Sequence, residues 1–393
     1  MVKVAKMINF ICKLKTLYAV NRSVSQPYYA IFSILYVAIS VFAFLCNSLL
    51  LVSLFHYTKK KKSGFKSKSQ RKGRPFRKPS RRQFKSEKTR DNLIGYLATF
   101  DLLLSLTMPF TAIDVLTNYW PLGPNSEIIV QLMRAAPTAF VYASSMIIIL
   151  IAYNCYRHII KNSKKQLSPK RTRYIVIIIV GISIVLSSPI VYFTKLEPLI
   201  NDDFKKLLNA VGLVNKTKDL VPPLCSDHEE VNLLQISFVV DDWPLIPINS
   251  TMSAVDWTGN IRLYFSIMSL VAQSILPFFV ISYCYYSVYK RLKRKSSIQS
   301  RVLKTAEARR RRNEREKRRN KLLITISLVY LITWLPLGIL GTLADGKINF
   351  FGENPEIPSI IFMICNLLGM SSSCANPIIY GYRNKHLRKG NEN

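Results

Sequence analysis

The chain has 393 residues, with 56 Lys and Arg against 22 Asp and Glu, a formal net charge of +34. An excess of that size points first to nucleic acid, yet a hydrophobic share of 49% also admits a membrane protein that keeps apolar and basic stretches apart. Only 14 Gly and 19 Pro exclude a collagen or a low-complexity coil, and seven Cys in this length exclude a disulfide scaffold.

Taken in chain order, charge-poor apolar stretches occupy 29–56, 92–118, 132–156, 174–194, 263–289, 322–343 and 357–382, each near the ~20 residues that cross a bilayer as a helix. Five contain no Lys, Arg, Asp or Glu; the second holds Asp101 and Asp114, and the third opens on Arg134. Buried helices of soluble proteins seldom run so long without charge, so seven such runs predict an all-α membrane protein, a seven-transmembrane helix bundle.

The connecting segments set its orientation, because Lys and Arg accumulate in loops that stay in the cytoplasm. Segments 57–91, 157–173, 290–321 and 383–393 carry 43 basic and 6 acidic side chains. The alternate segments 1–28, 119–131, 195–262 and 344–356, with helix-end Asp114 and Arg134, carry 13 basic and 15 acidic ones. The whole positive excess therefore lies on one face, and the amino terminus is expected outside. Three N-x-[ST] sequons, at Asn21, Asn215 and Asn249, all fall in segments assigned outside, as glycosylation requires. No cleavable signal peptide is expected, because Lys3, Lys6, Lys13 and Lys15 leave only Met7–Cys12 apolar between them. The expected organisation is an extracellular tail at 1–28, a seven-helix domain at 29–382 and a short cytoplasmic segment at 383–393. The basic inner loops 57–91 and 290–321 read as solvated and partly disordered, lying against anionic lipid of the inner leaflet rather than against nucleic acid.

Polar residues inside the spans indicate function, because each costs free energy in a bilayer. Asn47, Asp101 and the run Asn376-Pro377-Ile378-Ile379-Tyr380 fall near mid-membrane on the first, second and seventh helices. Asn47 reads equally well as a helix–helix hydrogen bond. A lone carboxylate at Asp101 needs a partner, water or a cation.

At these residues the chain resembles the rhodopsin-like G-protein-coupled receptors. The resemblance covers nearly all of 29–390 and rests on Asn47, on Leu97-Ala98-x-x-Asp101, on Trp120-Pro121-Leu122-Gly123, on Pro277 with Tyr285, on Tyr330-x-x-x-Trp334-x-Pro336 and on Asn376-Pro377-x-x-Tyr380. It implies that Trp334 relays ligand binding to helix movement, and that 383–389 forms a short amphipathic eighth helix. It implies further that Asp101, with Ser144 and Ser372 or Ser373, forms a pocket able to hold a sodium ion. Protonation would neutralise Asp101 equally well. Pro277, Pro336 and Pro377 each remove a backbone hydrogen bond and can kink their helices.

Two departures from the family pattern stand out. Where the family carries Asp-Arg-Tyr at the inner end of the third helix, this chain reads Asn154-Cys155-Tyr156. Cys155 can neither cap a G protein nor pair with an acid such as Glu316, and Arg157 points to another face. The second departure is Cys225, which resembles the outer-loop cysteine that family members bond to the third helix. The matching position holds Val130, so Cys225 lacks a clear partner, with Cys12 as the alternative, and a looser cavity entrance is expected.

No retinal lysine is present, the matching site being Met370, and no monoamine acid, the matching site being Pro137. Leu106-Thr-Met-Pro-Phe110, Trp120–Gly123 and 371–382 most resemble neuropeptide receptors, especially the invertebrate neuropeptide Y/F group. That resemblance implies an amidated peptide whose arginine is held by Asp345, a heterotrimeric G protein as partner, and a plasma-membrane location. The acidic side chains of Asp227, Glu229, Glu230, Asp241 and Asp242 would steer a cationic peptide. The four His sit in separate segments without metal spacing, and no nucleophile or phosphate-loop motif occurs, so no enzyme is expected. The rival reading is a non-signalling decoy or partner subunit that keeps the fold but lacks the coupling arginine. The long first inner loop is either an adaptation of this chain or a retained intron.

Overall fold

A computed structural model describes residues 24–70, 81–117, 120, 122, 124–159, 167–198, 237–241, 261–299, 306–346 and 356–383. Among these, seven helices are long and apolar enough to cross a membrane. The first is Tyr28–Gln70, the second Arg81–Leu116, the third Glu127–Ile159 and the fourth Pro169–Phe193. The fifth runs through Ile261–Leu270, a π-helical turn at Val271–Ile275, and Leu276–Gln299. The sixth is Ala306–Asp345 and the seventh Glu356–Arg383. The expected seven-helix bundle is borne out; the eighth helix, expected after 382, lies outside the described residues.

Burial follows the logic of a lipid solvent. Ile34, Leu49, Val185 and Ile332 turn 63–69% of their surface outward, whereas Asn47, Asp101, Ser145 and Ser373 are enclosed. A soluble bundle would reverse this arrangement, since a carboxylate or amide needs partners that hydrocarbon lacks and an isoleucine does not. The fourth helix shows the pattern locally. Ser168 caps it by accepting from the Arg171 backbone N–H at 3.3 Å, with Pro169 next in the first turn, where a missing N–H is harmless. It buries one stripe, Thr172, Val176, Ile179, Ser183 and Ser187, at helical spacing, and leaves the rest to lipid.

The third helix is the most enclosed, with 61% of its most apolar stretch buried against 22% for the first and fourth and 17% for the fifth. The first helix packs against the second, the second against the third and the third against the fourth; the fifth packs against the third and sixth, and the seventh packs against the sixth and returns against the first and second, closing the ring. Side-chain hydrogen bonds hold these seams: Tyr36 Oη donates to Asn366 Oδ1 at 3.0 Å, Ser40 Oγ to the Ser105 carbonyl at 2.9 Å, and Thr89 Oγ1 to the Leu167 carbonyl at 3.0 Å.

Two features depart from the expected outline. The basic loops are partly helical: the first helix continues to Gln70, the second starts at Arg81, and the sixth starts at Ala306. At 1.5 Å per residue the 43-residue first helix is about 65 Å long, roughly twice the hydrocarbon thickness. Loss of apolar character marks where the membrane ends, while Lys and Arg remain good helix formers in water, so the helix outlasts the span. The long outer loop also contains an antiparallel ladder, β1 (Thr194–Pro198) with β2 (Ser237–Asp241), pairing Thr194 with Asp241 and Leu196 with Val239.

Candidate ligand cavity and polar core

A cavity of about 310 Å³ opens among the outer halves of the helices. Trp334 and Met370 lie on its lining, as do Trp120 and the four charged side chains Asp114, Arg134, Arg262 and Asp345. Those charges are matched in pairs. Arg134 Nε meets Asp114 Oδ2 at 3.1 Å, joining the third helix to the second. Arg262 Nε meets Asp345 Oδ1 at 2.7 Å, joining the start of the fifth helix to the end of the sixth, and Ser266 Oγ donates to Asp345 Oδ2. The acid that the family resemblance singles out thus already holds a guanidinium of its own chain.

The entrance has its own anchors. Trp120 is buried and donates its indole N–H to Ser126 Oγ at 2.7 Å. Val130, at the position that the family resemblance assigns to a cysteine, is fully enclosed. Beside it, Gln131 Nε2 donates to the Thr194 carbonyl at 3.0 Å and fastens β1 to the third helix. On the opposite rim the Ser25 N–H and hydroxyl both donate to the Glu356 carboxylate, at 3.0 and 3.2 Å.

Beneath the cavity the sequence-selected polar residues converge. Asn376 Nδ2 donates to Asp101 Oδ2 at 2.7 Å, and Ser144 Oγ approaches Oδ1 at 3.5 Å, so the carboxylate meets donors from the seventh and third helices. Asn47 Nδ2 donates to the carbonyls of Ala43 at 2.9 Å and Ser373 at 3.0 Å, the interhelical role open to it from sequence. Its Oδ1 is buried without a protein partner. Ser372 accepts from Trp334 Nε1 at 2.8 Å, whereas the Ser373 hydroxyl turns back to the Met370 carbonyl at 2.7 Å. Tyr330, one turn below Trp334 with ring centroids 6.3 Å apart, donates to the Val141 carbonyl of the third helix at 3.1 Å.

At the inner end, Cys155 is half-buried against the core. Tyr156 lies near Tyr283 of the fifth helix, with centroids 6.0 Å apart, and Asn154 is half-buried. Arg157 lies 5.8 Å from the Tyr153 ring centroid, on a different face from Cys155, in agreement with the helical spacing. The Tyr285 and Tyr380 hydroxyls are buried without protein partners. Pro336 and Pro377 lie inside their helices, and Pro277 is the second residue after the π turn, where the regular hydrogen-bond ladder is already interrupted. Asn21, Asn215, Asn249, Cys12, Cys225 and the Glu316 side chain lie outside the described residues.

Sequence reasoning finds Asp345, Trp334 and the Asp101 cluster but not Arg262, Ser266, Gln131 or the Asp114–Arg134 pair as partners. The spacing of Arg262 and Ser266 puts them on one helix face, the only local signal they carry.

With this geometry in place, the chain belongs to the family described as 7 transmembrane receptor (rhodopsin family), whose model matches residues 79–206 and 249–380. Within it the chain is similar to the neuropeptide F receptor of Drosophila melanogaster, 28% identical over 372 residues, which cover 94% of this chain and 63% of that receptor. It is similar also to the human neuropeptide Y receptor type 4-2, 26% identical over 302 residues, covering 76% of this chain and 68% of the relative. The human neuropeptide Y receptor type 2 is 25% identical over 315 residues, covering 78% and 68%. The chain thus spans about two thirds of the length of these relatives.

Proposed function

We propose that this protein is a G-protein-coupled receptor for an extracellular, Arg-containing amidated peptide, placed in the plasma membrane with its amino terminus outside. The observation that carries the reading is the continuity at Trp334, whose ring lines the outer cavity and whose indole N–H binds Ser372 beside the Asp101 cluster. A displacement at the cavity floor therefore reaches the polar core through a single side chain. The names of its relatives support a peptide ligand. A cavity of about 310 Å³ is at the lower end of small-ligand pockets, so a peptide would insert one end and leave the rest over β1 and β2. Asp345 would receive the guanidinium, which matches a carboxylate bidentately.

The oxygens at Asp101 are compatible with a sodium ion: its carboxylate and the Ser144 hydroxyl beside it are hard oxygens, suited to a hard cation. When bound, the ion supplies a counter-charge to the carboxylate. Asn376 and Ser144 satisfy that carboxylate by hydrogen bonds, so two ways of compensating it compete at one place. The basic helix extensions beyond the first and sixth spans would lie against anionic inner-leaflet lipid.

Cys155 favours a second reading, a binding protein that does not signal. A peptide-library screen read separately by direct binding and by G-protein activation tests both. Activation by the unmodified chain supports the receptor. Binding without activation, restored by Cys155→Arg, supports the decoy.

A further inference from the structure

The Arg262–Asp345 pair changes what it means for a ligand to bind Asp345. Both carboxylate oxygens are engaged, Oδ1 by Arg262 Nε at 2.7 Å and Oδ2 by the Ser266 hydroxyl, one helical turn along the same face. Asp345 is mostly enclosed, its side chain 13% exposed, while that of Arg262 is 42% exposed. The acid is therefore fixed, and the base can swing into water. Arg262 also stands in the first turn of its helix, at the edge of the bundle rather than among its packed middle turns.

We propose that Arg262 is an internal stand-in for the ligand's guanidinium and, through that competition, a specificity-determining residue of the cavity. This inference rests on the reading that Asp345 receives the ligand's cation. An incoming guanidinium does not meet a bare acid; it exchanges with one that is chemically identical, so its gain is the difference between two like contacts. A ligand bearing an ammonium, a point charge without the planar fork, fares worse in that exchange than one bearing arginine. The exchange also has a structural consequence, because the pair ties the outer end of the fifth helix to that of the sixth. Seating the ligand on Asp345 releases this tie, and Arg262, turned outward, becomes available to an acidic group of the same ligand.

The test uses the full chain in lipid nanodiscs and ethylguanidinium as a probe. Arg262→Ala opens the place beside Asp345, so the probe should raise its thermal midpoint saturably. The unmodified chain and the Arg262→Ala/Asp345→Asn double variant should show no such rise. Arg262→Gln serves as a second opening variant with a side chain of closer size. If neither opening variant responds, or if the unmodified chain responds equally, the inference is overturned. A parallel arm measures binding of a synthetic amidated peptide ending in Arg-Tyr and of its citrulline twin. Arg262→Ala should widen the preference for arginine over citrulline by about tenfold, a change of about 1.4 kcal/mol. Unchanged or narrowed preference overturns the inference, while loss of that preference in Asp345→Asn keeps the ligand reading standing. Full preference retained in Asp345→Asn would overturn the ligand reading itself, and this inference with it.

Discussion

Trp334 is held between a hydrogen bond and a backbone: its indole N–H donates to Ser372 Oγ at 2.8 Å while its ring lies against Gly369, one turn earlier on the same seventh helix. A methyl group at 369 would stand 3.0–3.2 Å from three ring carbons, tighter than ordinary contact, and a rigid indole cannot yield as a flexible chain does. The absence of a side chain at Gly369 is thus what allows Trp334 to face the cavity and the polar core together.

Gly369→Ala should therefore destabilise the bundle by about 1–3 kcal/mol, the usual range for overpacking. Gly338→Ala is the control. Its added methyl would meet Leu270 Cδ1 at 2.9 Å, the tip of a flexible side chain on the fifth helix that can turn aside. Thermal unfolding of the two variants in nanodiscs should rank Gly369→Ala clearly below Gly338→Ala. An equal ranking would mean that the indole is not confined as the contacts indicate.

Asp101→Asn keeps an oxygen acceptor for Asn376, and its amide N–H can donate to the Ser144 hydroxyl, but the charge that would attract a cation is gone. The unmodified chain should unfold at a higher temperature in sodium chloride than in choline chloride at the same ionic strength. The variant should unfold at the same temperature in both salts. A sodium response that persists without the carboxylate would place the ion elsewhere.

The contrast between these residues and Arg262 shows which parts of the molecule are legible in the sequence. Asn47, Asp101, Trp334 and Asn376 lie in long apolar runs where a polar side chain stands out against hydrocarbon, and each must turn inward for the same physical reason. Their convergence is therefore predictable. The partner of Asp345 is not, because Arg262 lies at the edge of a loop rich in charges, where no periodicity selects one base over another. The same limit hides Gln131: a single hydrogen bond from an amide to a strand carbonyl leaves no trace in composition. The helical extensions beyond the membrane are missed for a different reason, since hydropathy reports the solvent around a helix and not its end.

Gln131→Ala removes the hydrogen bond that fastens β1 to the third helix, beside the Val130 that cannot form a disulfide. The loss should be about 0.5–1.5 kcal/mol, small for the whole bundle but concentrated at the entrance. Hydrogen exchange at residues 194–197 should accelerate while exchange in the third helix is unchanged. Replacing both Val130 and Thr194 by cysteine would test whether a covalent tie restores the slow exchange.

Tyr330 supplies the last of these contrasts, since its hydroxyl reaches the Val141 carbonyl across the seam between the sixth and third helices. Val141 remains inside a continuous helix, so losing the tyrosine hydroxyl leaves no backbone group stranded, and Tyr330→Phe should cost only about 0.5–1.5 kcal/mol. The same change weakens one of the ties holding the sixth helix inward, directly below Trp334. If outward movement of that helix accompanies activation, Tyr330→Phe should raise ligand-independent G-protein activation as it lowers the thermal midpoint. A variant that is destabilised without any rise in basal activity would show that this bond holds the fold and not the switch.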